Sequence, residues 1–218
     1  MKVRALMGRK VGMTQLFVGD GEVVPVSVIK AGPCFVLEKK SASGKDGYSA
    51  MKLGYEPVKD KHITAPERGY FKKLQREPLR HVQEIRISEE QVAEIEVGAE
   101  LKVSLFTEGD MVNVEGKTRG RGFQGVIKRW GFKGKRQTHG THKFERHGGS
   151  VGSNTWPART WPGKKMAGQF GNTEFTAQNL QVVKVIPEQD LILIRGSVPG
   201  ARNSLVLVRT AVKKWKRA

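Results

Sequence analysis

The sequence predicts a mainly β protein: a β-barrel-like body, a long irregular extension rich in Gly, Lys and Arg inserted in it, and one or two short helices. Two observations favour this fold class. Short apolar runs rich in Val, Ile and Leu, separated by Gly, Asp and Pro turns, fill both ends of the 218-residue chain. Between them, residues 116–168 contain 12 of the 26 glycines and show no sustained helical or strand period.

The N-terminal part of the body is expected over residues 1–115. Apolar runs at 15–18 and 23–29 flank a Gly-Asp-Gly turn, which predicts a hairpin. Further short strands are predicted at 34–37 and 48–53, with a Gly-containing turn between them.

A mixed insert, rich in basic residues and interrupted by prolines, is expected near 56–100. Within it, Ser88 followed three residues later by Gln91 resembles a capping box and predicts a short helix. Beyond it, residues 101–106 and 111–114 alternate with period two around a Glu-Gly-Asp turn, which predicts another hairpin.

The C-terminal part, residues 169–218, is expected to complete the body. Apolar runs at 180–186, 191–194 and 205–208 predict three strands, since Pro, Gly and Asn separate them. A basic tail follows at 213–217.

The charge of the chain is concentrated in its middle. The net charge is +18, and residues 116–168 supply +12 of it, with 13 Lys and Arg against a single acid, Glu145. A charge this large needs a polyanion to offset its self-repulsion. Nucleic acid is the first candidate partner, and an anionic membrane surface is the second.

The single cysteine, Cys34, excludes an internal disulfide framework and a cysteine-based zinc site. Its position at the start of an apolar run predicts a small buried hydrophobe and not a nucleophile. One free cysteine fits a reducing compartment, and neither a signal peptide nor a membrane-length apolar run is found. We therefore expect a soluble cytoplasmic protein.

Aromatic residues are interleaved with the charges of residues 116–168, which contain three of the four tryptophans. Cations neutralise phosphates, glycines allow close approach of the backbone, and aromatic rings stack on bases. The segment is therefore predicted to bind RNA. The predicted binding residues are Lys117, Arg119, Arg121, Lys128, Arg129, Trp130, Lys133, Lys135, Arg136, His139, His142, Lys143, Arg146, His147, Trp156, Arg159, Trp161, Lys164 and Lys165.

Other chemistry has weaker support. Residues 120–125 match a dinucleotide-binding glycine motif, but neither a helix at the third glycine nor a βαβ unit is predicted there. His139, His142 and His147 lack the fourth ligand and the rigid frame of a zinc site. No hydrolase motif or catalytic triad is found, so no metal, cofactor, small-molecule substrate or enzymatic activity is predicted.

A more specific signal comes from nine residues whose spacing is characteristic: Phe106, Asn113, Gly116, Thr118, Gly120, Arg121, Gly122, Gly125 and Arg129. Further motifs lie at 10–14, 128–132, 138–140, 149–152, 163–168 and 196–200. Together these motifs resemble the ribosomal protein L3 family in its bacterial form, over nearly the whole chain.

The resemblance implies a translation-protein-type β-barrel on the exterior of the large ribosomal subunit. It implies an extension threaded through 23S-type rRNA, with its tip near the peptidyl transferase centre. It also implies a role in starting subunit assembly and contacts with neighbouring proteins such as the fourteenth and nineteenth of that subunit. Many bacterial members have a tip glutamine that is methylated in some species. No Gln occurs from Gly149 to Trp161, where Thr155 takes its place, so this modification is not expected.

Three functional hypotheses follow. The first is a structural rRNA-binding protein of the large subunit. The alternative is a free RNA-binding or RNA-chaperone protein with a β-barrel body. The third, an enzyme acting on RNA, would need an acid–base or metal constellation that the sequence does not contain.

Overall fold

A computed structural model describes residues 4–19 and 21–211. These residues form two compact units, one of residues 118–173 and the other of the residues before and after them. The strands are β1 (Ala5–Val18), β2 (Glu22–Ala31), β3 (Cys34–Lys40), β4 (Ala50–Pro57), β5 (Leu79–Arg86), β6 (Glu100–Leu101), β7 (Met111–Lys117), β8 (Gly122–Gln124), β9 (Gly168–Phe170), β10 (Glu174–Ile186), β11 (Leu191–Arg195) and β12 (Leu205–Thr210). The α-helices in the described residues are α1 (Ala65–Lys73), α2 (Glu89–Glu94) and α3 (Val126–Trp130).

The predicted mainly β fold is confirmed, and its centre is a closed antiparallel barrel. The strand order is β1-β12-β7-β10-β11-β2, so strands from both ends of the sequence are neighbours. β1 pairs with β12 in the register Ala5↔Arg209, and β7 pairs with β10 in the register Lys117↔Glu174. Closure leaves none of these strands as a sheet edge, which explains how so many short apolar runs are protected.

Most predicted barrel strands are confirmed. The first hairpin is β1–β2, although β1 begins at Ala5, ten residues before the predicted run; Asp20 of its turn lies outside the described residues. The C-terminal runs form β10, β11 and β12. The basic tail at 213–217 also lies outside the described residues.

A second antiparallel sheet, in the order β5-β4-β3-β6, packs in the same unit. Cys34 begins β3 and is fully buried, as predicted. Its Sγ accepts a hydrogen bond from the Met7 backbone N–H at 3.3 Å. Burial raises the pKa of this thiol to about 12, an effect that the hydrogen bond partly opposes. The thiol is therefore neutral at ordinary pH, which fits a packing residue.

The predicted hairpin of residues 101–106 and 111–114 is wrong. Residues 100–101 form β6, which pairs with β3 of the second sheet, and Val103–Leu105 is a 3₁₀ turn. Both Val103 and Phe106 are buried, because side chains three residues apart lie on one side of such a turn. The alternation of apolar residues at 101–106 therefore does not reflect a strand of a hairpin.

The insert contains more regular structure than the sequence indicated. β5 was not predicted, and α1 forms in spite of Pro66, because proline is tolerated in the first helical turn. The short helix after Ser88 is confirmed as α2, but the Ser88 hydroxyl donates to Gln91 Oε1 at 3.3 Å and makes no cap hydrogen bond to the helix backbone. With α3, the described residues have three short α-helices where one or two were expected.

Candidate nucleic-acid interface

The unit of residues 118–173 begins with its two chain ends held together. The Thr118 N–H donates to the Thr173 carbonyl at 2.9 Å, and the Asn172 N–H donates to the Thr118 carbonyl at 3.1 Å. β8 and β9 then pair antiparallel. Gly171 has a φ of +72°, and a Cβ there would overlap the Arg119 carbonyl. Only glycine therefore fits this crossing.

A short helix organises the next segment, where no regular structure was predicted. α3 follows Gly125 and ends at Gly131, whose φ of 72° is the left-handed conformation typical of helix ends. The strands beside it, β8 and β9, are antiparallel, so the glycine motif at 120–125 is not part of a βαβ unit. This geometry gives no support to a dinucleotide site.

Two side chains at the end of α3 bind one carbonyl oxygen. The Arg129 Nη1 and the Trp130 Nε1 both donate to the Met166 carbonyl, at 2.9 and 2.7 Å. The Arg129 guanidinium also lies over the Trp130 ring, 4.9 Å from its centroid, and Lys165 Nζ lies 5.8 Å from the same centroid. These contacts hold together two segments more than thirty residues apart, and we call them the Met166 clamp.

The middle of the unit is held by backbone hydrogen bonds and one small aromatic cluster. The Lys135 N–H donates to the Glu145 carbonyl at 3.0 Å. The Phe144 and His147 rings meet edge to face with centroids 5.2 Å apart, and Lys135 Nζ lies 5.5 Å from the Phe144 ring centroid. Phe144 is 58% exposed, so the ring remains accessible.

The tip, residues 149–163, presents two tryptophans. Trp156 and Trp161 are 79% and 52% exposed, and therefore neither belongs to the barrel core. Their rings meet edge to face, and the Arg159 guanidinium lies 5.7 Å from the Trp161 ring centroid. A cation and two accessible rings are thus presented together, an arrangement suited to a phosphate and its neighbouring bases.

The predicted binding residues are accessible to solvent, and their Lys and Arg side chains lack acidic partners among the described residues. All nineteen are exposed except Arg129, which is half-buried in the Met166 clamp. In the part of the chain that the structure describes, none of their Lys and Arg side chains forms a salt bridge. Several cations of the body do form ion pairs, for example Arg9 with Glu56 and Lys40 with Glu84. The extension therefore presents positive charge that no carboxylate neutralises.

The three neighbouring histidines do not form a metal centre in the structure. All three are exposed, and His139 and His142 have positive φ angles of 56° and 37°. Within residues 4–19 and 21–211, no three His, Cys, Asp or Glu side chains lie close enough together to hold a metal ion. No helix in that part of the chain is long and apolar enough to cross a membrane.

Sequence reasoning missed the residues that hold the interface in shape. The Met166 carbonyl and Gly171 determine how three strand and helix segments meet, yet neither carries charge or an aromatic ring. A backbone acceptor has no sequence signal of its own. The available signals were the glycine count and the motif at 163–168, and neither says which backbone groups meet.

Comparisons with known proteins show the family of this chain. Residues 72–190 match the model of the family described as ribosomal protein L3. The chain is 50% identical over 209 residues to the large ribosomal subunit protein uL3 of Thermotoga maritima, covering 96% of this chain and 98% of that protein. It is 43% identical over 217 residues to the uL3 of Myxococcus xanthus, covering 99% and 96% of the two chains. This chain therefore belongs to the ribosomal protein L3 family.

Proposed function

We propose that this protein is a structural constituent of the large ribosomal subunit and binds 23S-type rRNA mainly through its extension, residues 116–168. The observation that carries the proposal is the set of exposed, unpaired cations interleaved with exposed aromatic rings. Family membership supplies the ribosomal context.

The residues have distinct roles in this proposal. Lys and Arg side chains neutralise phosphates and release counterions, which supplies affinity without base specificity. The exposed rings of Trp130, Trp156 and Trp161 stack on unpaired bases, and the exposed histidines His139, His142 and His147 bond to or stack on nucleotides. The Met166 clamp orients Arg129 and Trp130, so that part of the interface is organised before RNA arrives.

We further propose that the extension tip reaches towards the peptidyl transferase centre and that the protein helps to start subunit assembly. Its neighbours would include the fourteenth and nineteenth proteins of the subunit, and its location would be the cytoplasmic ribosome. Membership of the ribosomal protein L3 family supports this proposal. A test is co-sedimentation: a ribosomal protein remains at one copy per large subunit after a high-salt wash, whereas a free RNA chaperone is washed away.

Salt dependence tests the electrostatic part of the proposal. If about 6–10 phosphates are contacted, the affinity for rRNA should fall roughly 10³–10⁵-fold between about 50 and 200 mM salt. The triple variant Lys133→Gln, Lys135→Gln and Arg136→Gln should make this dependence shallower by about three contacts. The control variant Lys39→Gln, Lys45→Gln and Lys184→Gln removes the same charge from the body. This control should leave the salt dependence of binding nearly unchanged. An affinity that is flat across this salt range would contradict the proposal.

Shortening the tip tests whether rRNA binding and ribosomal function depend on the same residues. Arg159 is the only Lys or Arg in residues 149–163, so replacing this segment with a short Gly-Ser linker removes little positive charge. Binding to rRNA should survive largely intact, whereas subunit maturation or peptide-bond formation should decline. Equal loss of binding and activity would show that the tip is simply part of the anchor.

A further inference from the structure

A second basic surface lies in the body, on the connection between β4 and β5. Residues 58–78 leave the sheet after Pro57 and return at Leu79, and these two residues are paired. The Val58 N–H donates to the Pro78 carbonyl at 2.9 Å and closes the connection. α1 forms its longest element. We call residues 58–78 the α1 platform.

The α1 platform carries excess positive charge. It contains six Lys and Arg residues against three acids. One acid, Glu67, is engaged by the N-terminus of α1, because its Oε2 accepts hydrogen bonds from the Thr64 N–H and hydroxyl at 3.1 and 2.8 Å. Four lysines are exposed and have no side-chain partner among the described residues: Lys59, Lys61, Lys72 and Lys73.

Packing holds these lysines on a fixed support. Phe71 is 4% exposed and forms an apolar cluster with Leu37 and Leu79 of the sheet, against which Tyr70 also packs. The Arg68 Nη2 donates to the Asp60 carbonyl at 2.9 Å and ties the segment before α1 to the helix. Lys72 and Lys73 lie in the last turn of α1, and Lys59 and Lys61 lie in the 3₁₀ turn that precedes the helix or directly before that turn.

The α1 platform differs from the extension in one informative respect. None of the exposed large hydrophobic side chains of the described residues lies within 58–78, where His62 is the one exposed aromatic ring, whereas Phe123, Trp130, Phe144, Trp156 and Trp161 of the extension are exposed. Large aromatic rings stack on unpaired bases, but a surface dominated by lysines contacts mainly the phosphate backbone. Double-stranded RNA is recognised mainly through its shape and backbone, since its major groove is too narrow for side chains.

We propose that the α1 platform is a second RNA-binding surface, which docks on the phosphate backbone of a duplex RNA segment while the extension binds unpaired nucleotides. This inference rests on the proposed function, because it assumes that the partner is RNA. A membrane partner is disfavoured by the structure: a helix that lies on lipid needs a free apolar face, and the apolar residues of α1 are used against the sheet.

The test uses full-length protein and two probes, an RNA duplex of about 16 base pairs and single-stranded oligouridine of the same length. The variant is Lys59→Gln, Lys61→Gln, Lys72→Gln and Lys73→Gln. Its control is Lys39→Gln, Lys45→Gln, Lys102→Gln and Lys184→Gln, which removes the same charge elsewhere in the body. Thermal melting confirms that each variant is folded.

The platform variant should bind the duplex about tenfold or more weakly, with a salt dependence shallower by about three to four contacts. Its affinity for oligouridine should change by at most about twofold, as should both affinities of the control. Wild-type protein that binds neither probe would overturn the proposed function together with this inference. Normal duplex binding by the platform variant, or equal loss for both probes, would overturn this inference alone. A platform variant that loses binding to phosphatidylglycerol vesicles but keeps normal duplex binding would also overturn this inference alone.

Discussion

Trp156 and Trp161 meet edge to face at the tip, with ring centroids 6.3 Å apart and 70° between their planes. An edge-to-face pair is a favoured aromatic geometry. Here both rings remain largely in contact with solvent. The pairing therefore leaves surface on each ring for a ligand.

This exposure predicts the behaviour of Trp156→Ala. The variant should bind rRNA roughly 5- to 150-fold more weakly, because stacking on a base contributes about 1–3 kcal/mol. The melting temperature of the free protein should hardly change, since little native packing is lost. Filter binding and calorimetry measure the two quantities, with Trp161→Ala treated in the same way. A destabilised free protein with normal rRNA binding would refute an RNA-facing role.

The Met166 clamp predicts a local effect of Trp130→Phe. This change keeps a ring beneath Arg129 but removes the hydrogen bond to the Met166 carbonyl, a loss of about 0.5–1.5 kcal/mol. Trypsin should then cut more rapidly after Lys164 and Lys165, while the melting temperature of the body stays the same. Trp161→Phe is the control, because its indole N–H donates no hydrogen bond among the described residues. Equal cleavage rates in both variants would show that the clamp has no stabilising role.

Gly171→Ala should be disruptive for a steric reason. The added Cβ would overlap the Arg119 carbonyl, and the φ of +72° disfavours any side chain. Gly163→Ala is a matched control, since its φ is +76° but open space surrounds its Cβ position. The control should cost about 1 kcal/mol of local stability, and Gly171→Ala clearly more, in hydrogen exchange of the β8–β9 amides. Similar exchange in the two variants would mean that the backbone conformation alone explains the effect.

The buried thiol of Cys34 predicts a pH dependence of stability at alkaline pH. Burial raises its pKa from 9.0 to about 12, so the folded protein holds this proton more tightly than the unfolded chain. The associated stability is fully present below about pH 9 and is lost as the pH rises from about 9 towards about 12. Urea unfolding at several alkaline pH values should show a steeper loss for wild-type protein than for Cys34→Ala. Parallel losses would contradict this account, because all other titrating groups are shared.

The sequence predicted strands best where apolar runs are continuous. Leu191–Arg195 is such a strand, and the structure confirms it. The first residues of β1 were missed because Gly8, Arg9 and Lys10 interrupt the apolar pattern. Pairing with β12 on one side and β2 on the other makes that segment a strand. The buried Lys10 ammonium donates a hydrogen bond to the Val198 carbonyl at 2.8 Å. Such long-range partners cannot be recognised in a local pattern.

For the candidate interface, composition was informative about exposure but not about arrangement. Thirteen cations and one acid in a glycine-rich segment cannot form a dry core, and the structure accordingly leaves most of these side chains exposed. How the segment is organised depends on Met166 and Gly171, whose contributions come from a carbonyl group and from the absence of a side chain. Which residues touch RNA stays a prediction.

The position of β12 constrains how the body can form during protein synthesis. This strand lies between β1 and β7 in the barrel, although it is encoded near the end of the sequence. A nascent chain that has not yet exposed residues 205–210 therefore leaves the edges of β1 and β7 open, and open edges promote aggregation. Synthesis of the roughly 200 residues from the start of β1 to the start of β12 takes about 10–40 s at 5–20 residues per second. Throughout that interval the barrel cannot close, and β1 and β7 lack the strand that covers their edges.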